Sequence, residues 1–60
     1  MEDWILKKEQ SFIMMLDTVA SKLEEAKSEG NSESVASFTW LQSEYENLLS
    51  EFRDYYKIKP

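Results

Sequence analysis

Between residues 38 and 56 the large apolar side chains advance by three and four in turn, at Phe38, Leu41, Tyr45, Leu48, Phe52 and Tyr55. At 3.6 residues per turn this spacing draws one apolar seam along a helix. A seam five turns long needs another helix to cover it, because isolated helices are marginal in water. The first half of the chain repeats the pattern. No Gly or Pro interrupts Glu2 to Ser28, and Ile5, Phe12, Leu16, Val19, Leu23 and Ala26 step by three and four after an initial gap of seven. A second stripe lies beside each seam, Leu6, Ile13 and Ala20 on the first segment and Val35, Leu49 and Tyr56 on the second. Apolar faces this wide belong to bundles rather than to two-stranded coiled coils.

The stretch Ser28-Glu29-Gly30-Asn31-Ser32 holds the only turn chemistry in the chain. Gly30 suits the left-handed conformation that ends a helix, Asn31 or Ser32 can cap the next one, and Glu33 favours its first turn. The expectation is an all-α chain forming one domain over 1–60: helix one at about 2–28, a turn at 29–32 and helix two at about 33–57. Lys57 and Lys59 then complement the negative end of the helix dipole, and Pro60 closes the chain. A link this short makes the helices an antiparallel hairpin. In such a hairpin, facing residues have a constant sum of numbers, and the seams meet this condition. The expected pairs are Leu23 with Phe38, Val19 with Leu41, Leu16 with Tyr45, Phe12 with Leu48, Glu9 with Phe52 and Ile5 with Tyr55.

A sixty-residue chain buries only about 60% of the surface its unfolded form exposes, so one hairpin has a thin core. With no Cys and no His, neither a disulfide nor a zinc site of the usual kind can reinforce it. Self-association remains, and the hairpin is expected to dimerise into a four-helix bundle whose core holds the seam residues of both helices. This plan resembles that of the repressor-of-primer family of short dimerising hairpins. The resemblance is one of plan only: no residue motif is shared, and the basic RNA-contacting face of that family has no counterpart here.

Twelve acidic against seven basic side chains give a net charge of −5, the wrong sign for a protein that binds nucleic-acid phosphates directly. No apolar run approaches the length of a membrane span, and Met-Glu-Asp lacks the basic start of a signal peptide, so the expected location is cytoplasmic. Catalysis is not expected, since there is no His, no Cys, no Gly-rich phosphate loop and no nucleophile spaced from a base. No cofactor or metal is expected either, because carboxylate metal sites in bundles draw on His as well.

Three features remain as candidates for recognition. Trp40 turns away from the seam among small and polar helical neighbours that cannot bury an indole, including Glu44 and Asn47. Trp4 holds the same heptad position on helix one, and Met14 points opposite the seam. Aromatic side chains placed this way either complete an oligomer contact or anchor a partner protein. Glu9 falls where the seam asks for a hydrophobe. Its expected fate is to reach water where helix one frays or splays; the other reading makes it a polar register device, with Lys8 and the Tyr55–Tyr56 pair as the nearest partners. Finally, no basic residue lies between Lys27 and Arg53, where Glu29, Glu33, Glu44, Glu46 and Glu51 all lie. Such a surface serves solubility or imitates nucleic-acid phosphates. The functional expectation is a non-enzymatic regulatory protein, a homodimer that binds and modulates another protein. The alternative is an acidic inhibitor of a nucleic-acid-binding enzyme.

Overall fold

The structure, a computed structural model, describes residues 2–58. Two helices, α1 (Asp3–Ser28) and α2 (Ser32–Tyr56), run antiparallel and pack on each other along a rod of 43 × 16 × 15 Å. Local chemistry sets the turn between them. Gly30 takes φ +68°, the N–H of Asn31 donates to the carbonyl of Ala26 and that of Gly30 to Lys27, so the last carbonyls of α1 are satisfied in a Schellman arrangement. Asn31 is the cap of α2, its Oδ1 accepting from the Ser34 N–H at 3.1 Å. The same terminator recurs after α2: Ile58 N–H donates to the Arg53 carbonyl, and Lys57 adopts φ 59° without being glycine. Lys57 thus stops α2 rather than extending it; Lys59 and Pro60 lie outside the described residues. Within the helices, Ser11, Thr18 and Thr39 each donate a hydroxyl to the carbonyl four residues back, so their side chains share an acceptor of the helix ladder.

The core is thin, as the chain length requires. Ile5, Val19, Leu23 and Ala26 of α1 and Leu49 of α2 are its buried hydrophobic residues. The accessible surface is 4705 Å², whereas a compact monomer of this mass exposes about 4,100 Å². Its radius of gyration, 13.5 Å, likewise exceeds the roughly 10.4 Å of a globule of this length.

The facing pairs differ from those the seam implies. Leu49, 7% exposed, is the buried leucine of α2, while Leu48 remains 45% exposed and Tyr55 77% exposed. Phe12 packs on Phe52 with centroids 5.6 Å apart, and Tyr56 rather than Tyr55 closes the open end. The reason is the helix period. A straight helix turns every 3.6 residues, so positions 38, 45, 49, 52 and 56 stay on the side facing α1, while a strict seven-residue repeat drifts off it by about 20° per heptad. The stripe first read as secondary, Val35, Leu49 and Tyr56, therefore carries the hairpin contact at its C-terminal end, and Leu41, Leu48 and Tyr55 move to its edge.

Glu9 also departs from expectation. Helix α1 is continuous through it, and its side chain, 13% exposed, accepts a hydrogen bond from Arg53 Nε at 2.8 Å. The carboxylate is thus paired across the hairpin instead of reaching water. Its partner is neither Lys8 nor a tyrosine, because the one-residue shift that places Leu49 inside also brings Arg53 to the level of Glu9.

Candidate interaction surface

Trp40 sits on the outer edge of α2 and is 63% exposed. One turn earlier come Ala36 and Ser37, too small to cover the indole. With Trp40 and Leu41 they line a shallow, mainly apolar depression of about 470 Å³. Glu44 and Asn47, at i+4 and i+7, are exposed and share the indole's side of the helix. An apolar anchor beside polar rim groups is thereby assembled on a single rigid element.

The other two apolar candidates lie elsewhere. Trp4 is at the open end, roughly 25 Å from Trp40 along the rod at 1.5 Å per residue. Its ring meets that of Tyr56 edge-on, with centroids 5.3 Å apart, and Tyr56 in turn packs on Phe52 at 4.8 Å. This aromatic chain, Trp4–Tyr56–Phe52–Phe12, fastens the free end of the hairpin opposite the turn. Met14, 66% exposed, borders a second groove of about 260 Å³ with Met15, Thr18, Val19 and Tyr45. Met15, not among the residues expected to bind a partner, is also exposed and lines this groove beside Tyr45 of α2. The seven-residue step from Lys8 through Met15 to Lys22 was the signal that could have found it.

On the opposite face of the hairpin a groove of about 380 Å³ runs over Leu16 and Leu49, with Arg53, Asp54, Glu46 and Ser50 at its rim. Among the described residues no hydrogen bond joins Ser50 to either carboxylate. The described residues contain no group of three or more carboxylates that could hold a metal ion, and no helix among them is long and apolar enough to cross a membrane.

The acidic side chains of α2 at Glu33, Glu44, Glu46 and Glu51 are all exposed. Among the described residues, the ion pairs are Glu9–Arg53 and the surface pair Glu24–Lys27 at 3.8 Å, so none of these four carboxylates is neutralised by a salt bridge. Comparison with protein-family models, curated proteins and solved structures finds no match for this chain.

Proposed function

We propose that the protein is a non-enzymatic interaction module, a homodimeric helical bundle whose outer α2 edge at Trp40 binds and modulates another protein. The observation that carries this reading is the indole itself: it is 63% exposed, has no covering neighbour and lies beside an apolar depression. Exposed aromatics flanked by polar groups have the composition of binding hot spots. The excess surface of the single hairpin supports the dimer, since a second copy would cover part of it. Affinity capture from the native host with wild type and Trp40→Ala in parallel tests the binding edge. Loss of a specific partner with the dimer intact is the expected result, and capture unchanged by the substitution contradicts it. Conversion to monomers would place Trp40 in the dimer contact instead.

The second reading, an acidic inhibitor that occupies the basic groove of a nucleic-acid enzyme, is favoured by one observation: Glu33, Glu44, Glu46, Glu51 and Asp54 of α2 are exposed and, among the described residues, in no ion pair. It makes the opposite forecast. Glu44, Glu46 and Glu51 changed together to Gln would weaken binding more than Trp40→Ala, and salt would release the partner steeply, because exposed charges are largely screened beyond about 10 Å at 0.1 M.

A further inference from the structure

The drift of the heptad stripe leaves a second apolar band on the hairpin. Leu41, Leu48 and Tyr55, seven residues apart, run along the edge of α2, with Leu48 and Tyr55 exposed. Glu44 and Glu51, also seven apart, border that band on its outer side. On the same face of the hairpin, α1 contributes Lys8, Met15 and Lys22 at the same spacing. Two contacts put these bands on one face: Met15 shares a groove with Val19 and Tyr45, and the Lys8 ammonium lies 5.7 Å from the centre of the Phe12 ring, which packs on Phe52. The face is therefore apolar along its middle, basic along its α1 border and acidic along its α2 border.

We infer that a second copy of this chain covers this face, with α1 of each protomer lying on α2 of the other and the two turns at the same end of the bundle. The inference rests on the homodimer proposed above and specifies its geometry. The size of the face fits: 43 × 16 Å amounts to roughly 700 Å², near the about 800 Å² per partner of a stable complex. Charge selects the arrangement. A two-fold axis parallel to the helices keeps every residue at its own height, and the Glu9–Arg53 contact fixes which heights on the two helices correspond. Met15 of one copy then falls level with Leu48 of the other, Lys8 within a turn of Glu51, and Lys22 about one turn from Glu44, within reach of a long side chain. The other face-to-face arrangement, with the axis across the helices, sets α1 on α1 and α2 on α2. It brings Lys8 opposite Lys22 and Glu44 opposite Glu51, like charge on like along both contacts. Like charges juxtaposed at an interface suppress that pairing, whereas opposite ones favour it. Trp40 lies outside the acidic border in the first arrangement and stays available to a different protein.

The chain has no cysteine, so single substitutions give unambiguous cross-links. Met15→Cys and Leu48→Cys chains are mixed and oxidised. The expected product is a disulfide dimer that contains one chain of each kind, with neither variant cross-linking alone, since bridged Cα atoms must come within about 7 Å. Efficient self-cross-linking of Leu48→Cys, or no mixed product from a sample that sediments as a dimer, overturns the arrangement. A wild-type chain that sediments at 7.1 kDa throughout overturns the underlying dimer instead. A second variant serves if cysteine disturbs the face: Lys8→Glu/Lys22→Glu places acid on acid in the inferred bundle and weakens dimerisation by about tenfold or more at low salt. In the alternative bundle it merely exchanges one like-charge contact for another, so an unchanged dimer affinity rejects the inference.

Discussion

A carboxylate in an apolar seam is tolerated when a cation reaches it, and Arg53 does so with a 2.8 Å hydrogen bond while retaining partial access to water. Glu9→Ala removes the acceptor and leaves the guanidinium half-buried without a partner. The expected loss of stability is about 1–3 kcal/mol, below that of a fully buried pair because solvent reaches this one. Glu9→Leu combined with Arg53→Leu removes both charges and is expected to recover most of that loss. Urea denaturation of the single and double variants checks the pair, and a double variant less stable than Glu9→Ala would show that it contributes more than it costs. Lys57 offers the opposite sign. It holds a left-handed conformation that costs a non-glycine residue about 1 kcal/mol, so Lys57→Gly is expected to raise stability by up to that amount. A lower melting temperature for Lys57→Gly would indicate that its side chain contributes more than its backbone loses.

At the scale of the helices, phase decides which leucine matters. Leu49→Ala opens a hole against α1 and is expected to cost about 2–5 kcal/mol in chemical denaturation. Leu48→Ala is expected to act through self-association, so that its loss of midpoint shrinks as protein concentration rises while that of Leu49→Ala persists; equal losses at the two positions at every concentration would mean that α2 is rotated from its position here. This rotation also marks where the sequence stopped being legible. The two helices, their direction and the turn were readable because Gly30, Asn31 and the uninterrupted apolar periodicity act locally. The choice between Leu48 and Leu49 was not, because steps of 3.5 and 3.6 residues are indistinguishable over two turns and diverge over five. One residue of phase then carried Phe52 to Arg53 and Tyr55 to Tyr56, which hid the partner of Glu9 and the contact that fastens Trp4. Trp40 was legible from its small neighbours alone, and it is exposed in the folded hairpin.

The molecule as a whole is a rod with five buried hydrophobic side chains among the described residues, an exposed band of leucine and tyrosine, and more surface than a compact chain of its mass. In the proposed bundle a second copy covers that band and adds apolar burial to a sixty-residue chain that has no disulfide to reinforce it. The proposed binding edge at Trp40 depends on this assembly, since a hairpin that frays would not hold the indole rigidly. Folding coupled to pairing makes stability depend on protein concentration, each tenfold rise adding about 1.4 kcal/mol per dimer. The most direct test is the thermal midpoint of the wild-type chain, followed by circular dichroism from low to high micromolar concentration. The account predicts a midpoint that climbs by several degrees for each tenfold increase. A midpoint that stays fixed across that range, with full helicity at the lowest concentration, would contradict it.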